Sequence, residues 1–145
     1  MSASETELAL LGETLRRLVR ERYKDRVRER GPDVDRSDAS EVRAMFAELG
    51  LHAALFDEAA GGLGGGAAEI VCVFGELGRG LVVEPFLQIL MAGRILAAAG
   101  DEALLSRLID GERLVVVAHG EEAARYDAHC VRSRARQAGT QWSLR

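Results

Sequence analysis

The side chains best suited to chemistry cluster in one short stretch, His119 to Asp127, read HGEEAARYD. It offers an imidazole, a phenol and carboxylates at Glu121, Glu122 and Asp127. A lone histidine at the end of a strand is more often a surface or satisfied residue than a functional one. A second stretch, Ala59 to Gly66 (AAGGLGGG), invites a phosphate-loop reading, because bare backbone amides can approach phosphate oxygens closely. Context argues against it: the run ends in neither GKS nor GKT, holds no GxGxxG, and opens no strand-turn-helix unit with an acid about twenty residues on. A close-packed, flexible turn between helices is the preferred reading. Cys72 and Cys130 form no CxxC pair, and His52 and His129 have no partner at ligand spacing, so neither a zinc site nor a disulfide framework is expected.

The elements that must position these residues are mostly helical. Ser4, Glu5 and Glu7 resemble an N-cap with acids in the first turn, and Leu8, Leu11, Leu15, Leu18 and Val19 recur at helical steps. This predicts a helix to about Arg28, whose charged outer face (Glu13, Arg16, Arg17, Arg20) reads as solvated. GPDVDRSD, residues 31 to 38, predicts a loop, followed by a helix capped near Ser40 with Val42, Met45, Phe46 and Leu49 inward and Gly50 as its stop. LHAALF then predicts a buried extended segment or turn. Ala67 to Leu77 predicts a helix with a wide apolar face, and Pro85 opens another whose apolar residues cover most of its circumference, marking it as the most buried element. Gly100 ends that helix, Asp101 caps a fifth, and Gly111 ends it in turn. Beyond Gly111 the period changes. LVVVA, residues 114 to 118, predicts a strand, and Val131 to Gln137 followed by Ala-Gly-Thr and Gln-Trp-Ser-Leu predicts a hairpin. The fold class is therefore mainly α: an N-terminal helical domain of about five helices, followed by an incomplete antiparallel β segment whose edges lack partners.

Composition narrows the function further. The 145 residues are 48% hydrophobic and 29% charged, an ordinary balance for a chain that buries one core. A net charge of -4 argues against nucleic acid as a partner, since phosphate neutralisation needs clustered positive charge. No apolar run approaches the length of a membrane span, and the acidic N-terminus lacks the basic region of a signal peptide. A cytoplasmic location, with no membrane contact, is the expectation.

Five ordered segments give this pattern a family likeness. FAELGLHAALFDEAAGGLGGG, Phe46 to Gly66, resembles the "LGLLG…PEEYGGLG" segment of the acyl-CoA dehydrogenases. FGELGRG, Phe74 to Gly80, resembles their "EELGR", and Glu84 to Arg113, with LLSRLIDGE, resembles the next two helices and the "LxxGE" ahead of the first strand. HGEEAARYD occupies the place of "LTEPxxGSD", and GTQWSLR resembles the "GDGWxLxG" hairpin. The resemblance spans nearly the whole chain in order. It implies residues 1–112 as the N-terminal helical domain and 113–145 as the first strands of a middle β-domain, with a C-terminal helical bundle lying beyond this chain.

The resemblance also implies a chemistry, α,β-dehydrogenation of acyl-CoA thioesters with flavin adenine dinucleotide (FAD). In that family a bundle glutamate takes the α-proton while flavin N5 accepts the β-hydride, an arrangement that needs base and flavin on opposite sides of the substrate. None of the acids present matches that base, so no catalytic residue is assigned and the chain alone is expected to be inactive. Contact with the flavin falls to His119, Gly120 and Tyr126. Gly120 stands where the family has threonine, which leaves a main-chain contact only, while Glu122 and Tyr126 stand where it has proline and serine. Lining of the acyl pocket falls to Leu87, Gln88 and Met91, although ordinary core is the preferred reading of Leu87 and Met91. The implied partners are an acyl-CoA substrate and either further copies of the chain or a completing subunit. The alternative is a non-catalytic helical module that keeps this front end as a dimerisation or partner surface, its apolar Phe86–Leu96 run and strand edges covered by another chain.

Overall fold

The structure is a computed structural model that describes residues 5–23, 36–121, 124, 127 and 129–145, with the backbone alone for 36–40. Among the described residues five α-helices and one hairpin occur, a mainly α fold with a small antiparallel sheet. Helix α1 spans Glu5–Leu18 and continues as a wider π turn over Val19–Tyr23. The others are α2 (Arg36–Glu48), α3 (Ala67–Arg79), α4 (Phe86–Ala99) and α5 (Glu102–Ile109). Ser4 and residues 24–28 lie outside the described residues. Helix α2 starts four residues ahead of Ser40, because Ser37 and Asp38 are as compatible with a first turn as with a loop.

One core joins all five helices. Leu15, Val19 and Tyr23 meet Val42 and Phe46, and Val73, Leu77, Phe86, Ile89, Leu105 and Leu108 complete it. Helix α1 packs against α3 and α4 against α5. The centre is aromatic: Phe46 stands edge-on to Phe86 with centroids 5.2 Å apart and lies 6.0 Å from Tyr23. The expected solvated face of α1 holds except at Arg16, whose guanidinium grips the buried Glu76 of α3 through Nε (3.1 Å) and Nη2 (2.8 Å). Arg79 binds the same carboxylate. These contacts, led by Arg16, hold Glu76 below the usual carboxylate range.

Helix stops follow the glycines. Gly50, Gly100 and Gly111 all adopt left-handed backbone. At Gly50 the pattern is a Schellman cap, with Gly50 N–H donating to Ala47 O and Leu51 N–H to Phe46 O. That cap ends α2 before Leu49, which is 47% exposed rather than inward, and Leu51 fills the core in its place. The Ala59–Gly66 turn is tight. A Cβ at Gly62 would stand 2.2 Å from Phe56 O, and one at Gly65 would stand 1.8 Å from Ala54 O. LHAALF forms a turn with a short 3-10 stretch, Ala53–Leu55.

Two expectations are corrected. Helix α4 is not buried all round, since Leu87 is 55% and Ile95 54% exposed while Phe86, Ile89, Ala92 and Gly93 face inward. The helices that pack on it cover one side only, so apolar circumference did not translate into burial. Leu114 to Ala118 forms no strand, because a ladder needs a neighbour and none of the described residues pairs with it. Its side chains still alternate, Val115 and Val117 packing on the core while Leu114, Val116 and Ala118 face out. The hairpin forms as read, with β1 (Ala135–Ala138) antiparallel to β2 (Gln141–Leu144) and Ala138 opposite Gln141. Gly139, at φ +63, and Thr140, at negative φ, close it as a type II′ turn. Both strands are exposed throughout.

Candidate functional site

The residues singled out by sequence fall on α4 and on the extended segment that follows α5. Leu87, Met91 and Ile95 recur at four-residue steps along the outward side of α4, giving an apolar stripe. Leu87 and Ile95 are exposed and Met91 is half-buried. Gln88, beside that stripe, is half-buried and already engaged, its Oε1 accepting from the main-chain N–H of Val117 at 3.2 Å. This bond draws the 114–118 segment alongside α4. Nothing in the sequence pattern signals it, because a glutamine amide reaching main chain 29 residues away leaves no periodic trace.

Two residues farther on come His119 and Gly120, both exposed. The His119 N–H donates to Val117 O at 3.1 Å, turning the chain. The Gly120 N–H makes no hydrogen bond to a described residue, and a Cβ placed on Gly120 would meet nothing within 4 Å. Glu121 is committed elsewhere: its carboxylate accepts from the N–H groups of Ser133 (2.9 Å) and Arg132 (2.7 Å), clamping the approach to the hairpin. Those two amides, Ser133 foremost, hold the Glu121 carboxyl below its ordinary range. Asp127 caps locally, accepting from His129 N–H at 2.9 Å. Glu122 and Tyr126 lie outside the described residues, so Tyr126 remains an expectation only. Thus the structure brings His119 and Gly120 into one chain segment with Gln88 tied two or three residues upstream.

Two grooves lie elsewhere. One of about 650 Å³ runs between the 57–61 turn and α5, with Asp57, Glu58, Glu102 and Asp110 on its walls. The other, of about 780 Å³, lies over Gly64–Gly66 beside Arg94 and Glu69. Neither is lined by Leu87, Gln88, Met91, His119 or Gly120. At the start of α3, where a phosphate would sit on the glycine-rich turn, the Glu69 carboxylate already accepts from Gly66 N–H at 2.8 Å. A carboxylate in the anion's place removes the phosphate-loop reading. No group of three or more His, Cys, Asp or Glu residues among those described could hold a metal. None of the helices among them is long and apolar enough to cross a membrane.

Three polar groups wholly or partly buried were not anticipated. His52 is 1% exposed, packs edge-on against Phe86 at 5.6 Å, and neither ring nitrogen is within hydrogen-bonding geometry of a described residue. Burial, reinforced by the Arg43 guanidinium, pushes the imidazole down to about 4, against a smaller opposing pull from the main chain at Ile109 and Leu108. Tyr23 accepts from Val83 N–H at 3.0 Å, and burial pushes its phenol up to about 12. Glu84, next to it, keeps Oε2 buried and unpartnered, and burial holds its carboxyl above the ordinary range.

Residues 5–112 match the family model described as "Acyl-CoA dehydrogenase, N-terminal domain". No curated protein and no solved structure matches the chain.

Proposed function

Because this chain belongs to the acyl-CoA dehydrogenase family through its N-terminal domain, we propose that it serves the α,β-dehydrogenation of acyl-CoA thioesters by supplying one wall of the acyl site and one edge of a flavin site. Residues 1–112 are the helical domain and 113–145 the first strands of the middle β-domain. The observation that carries the reading is the placement of an outward apolar stripe on α4 together with a Gly120 N–H that bonds to none of the described residues, on a segment bound to the same helix through Gln88. Apolar methylenes of an acyl chain would lie on Leu87 and Met91, where each buried CH₂ contributes about 0.8 kcal/mol.

The residues present fit FAD at one edge. Gly120 is exposed and offers a main-chain donor to a ring oxygen or nitrogen, and the exposed His119 precedes it directly in the chain. When bound, the flavin supplies the two-electron acceptor for the β-hydride, while a base takes the α-proton and a carbon–carbon double bond forms. No residue of the chain is assigned as that base. The role of Gly120 is to donate, that of His119 to border the ring, and that of Leu87 and Met91 to exclude water from the acyl chain.

Titration of the full chain into FAD, followed by flavin fluorescence and the visible spectrum, tests this. Saturable quenching with a band shift, reduced in a Gly120→Pro variant that lacks the donor, is the expected result; an unchanged spectrum at high protein concentration defeats the flavin reading.

A second reading has its own support. Leu87, Ile95 and Val116 are exposed, as are Trp142 (64%) and Leu144, which share one face of the hairpin. Exposed apolar groups on α4, the 114–118 segment and the hairpin suit a module that another copy or another subunit covers. A sedimenting complex that forms equally with and without FAD favours this reading over the first.

A further inference from the structure

Two side chains with no part in the proposed contacts bracket His119 and Gly120. Upstream, Gln88 Oε1 accepts from Val117 N–H at 3.2 Å. Downstream, the Glu121 carboxylate accepts from Arg132 and Ser133 at 2.7 and 2.9 Å. Between these anchors the chain has little else to fix it. Among the described residues, Leu114 to Ala118 pairs with no strand, and the main chain of 117–120 makes one hydrogen bond besides that to Gln88, from His119 N–H to Val117 O. A main-chain group outside a ladder must find a side chain or water. For Val117 the partner is Gln88.

Position on the helix gives that bond a direction. Gln88 follows Leu87 directly and precedes Met91 by three residues, one helical turn along the same side of α4. Its side chain therefore ties the edge of the apolar stripe to the segment that carries the Gly120 donor. Val115 and Val117 pack partly on the core, which fixes the depth of the segment but not its register along α4. Apolar contact is non-directional, whereas a hydrogen bond specifies which main-chain atom lies opposite which side chain.

We infer that Gln88 is a positioning residue: by holding Val117 it sets the location of the Gly120 N–H relative to Leu87 and Met91, and so couples the acyl-facing helix to the flavin-facing segment. The inference rests on the proposed function for the identity of what each side faces, but the tether itself is independent of that function. Glutamine thus acts as a spacer of fixed length between two contacts, and it does not line the pocket with a free amide.

Two substitutions separate tethering from bulk. Gln88→Met keeps the length and shape but has no comparable acceptor, whereas Gln88→Glu keeps an acceptor oxygen in the same place. Backbone amide exchange is read by NMR on the full chain, together with the change in the Gly120 amide signal on adding FAD. In Gln88→Met the Val117 amide should exchange about fivefold faster, as expected for loss of one neutral hydrogen bond. Gln88→Glu should restore it, and Val73 in the core of α3 should be unaffected in both. The Gly120 response to FAD should be present in the parent and in Gln88→Glu and be lost in Gln88→Met. Unchanged Val117 exchange in Gln88→Met, or a Gly120 response equal to the parent's, overturns the positioning role alone. Silence of Gly120 toward FAD in the unsubstituted chain overturns the proposed function and the flavin half of the coupling, while Val117 exchange still decides the tether.

Discussion

Replacing His52 by phenylalanine should flatten the acid side of this protein's stability curve. The imidazole is sealed between α2, α4 and the end of α5, with the Arg43 guanidinium nearby and Phe86 against its edge. Folding therefore holds it neutral. Its proton affinity falls from an ordinary 6.5 to about 4 in the folded chain, while the unfolded chain keeps the ordinary value. The sign follows directly: below 6.5 the unfolded state gains a proton that the folded state refuses, so stability is intact above that pH and is lost as pH falls towards 4. At about 1.4 kcal/mol for each tenfold change in proton affinity, the whole loss is about 3 kcal/mol, of which about 2 kcal/mol falls between pH 7 and pH 5. Urea unfolding at those two pH values measures it in the parent, in His52→Phe and in His52→Leu. Acid effects from Glu76 and the other carboxylates are common to all three and cancel in the comparison. The parent should lose about 2 kcal/mol more than either variant. Equal losses in all three would refute the argument that a neutral, sealed imidazole governs this pH range.

Glutamate 84 works in the opposite sense. Burial holds its carboxyl above the ordinary range, so its contribution is lost as pH rises through that window; Glu84→Gln should raise the melting temperature at pH 7, with the gain shrinking near pH 4. A glycine within α3 and the glycine that caps it should diverge in thermal melts. A methyl at Gly75 meets nothing, so Gly75→Ala should stabilise by about 1 kcal/mol through helix propensity. At Gly80 a Cβ would lie 2.1 Å from Val19 Cγ1, so Gly80→Ala should destabilise by about 1–3 kcal/mol.

Much of the helical architecture was legible because it is written locally. Apolar spacing places α3, α4 and α5, Asp101 caps Leu104 N–H at 3.1 Å as its position suggests, and Gly50, Gly100 and Gly111 stop their helices. The hairpin is legible from Gly139 and the alternation around it. Where the reading failed, the missing information was tertiary. Whether α4 is covered on all sides depends on how many neighbours reach it, and period alone cannot count them. LVVVA has the residues of a strand, but pairing is a property of two segments. The same division holds at the candidate site: His119 and Gly120 are assigned position by position through the family likeness, whereas the Gln88 tether and the Glu121 clamp join positions 29 and 11 or 12 residues apart that share no local pattern.

Gly62 and Gly65 are bare for want of room. With Phe56 O and Ala54 O pressed against those two α-carbons, the joint between α2 and α3 behaves as a weld rather than a hinge. Lengthening it or dressing it with side chains would pry apart the wall around Leu55 and Phe56, both of them buried. A glycine run that looks like slack is, in this protein, among the least editable places in the chain, and a tag or spacer inserted there would cost more than one placed at the tip of the exposed hairpin.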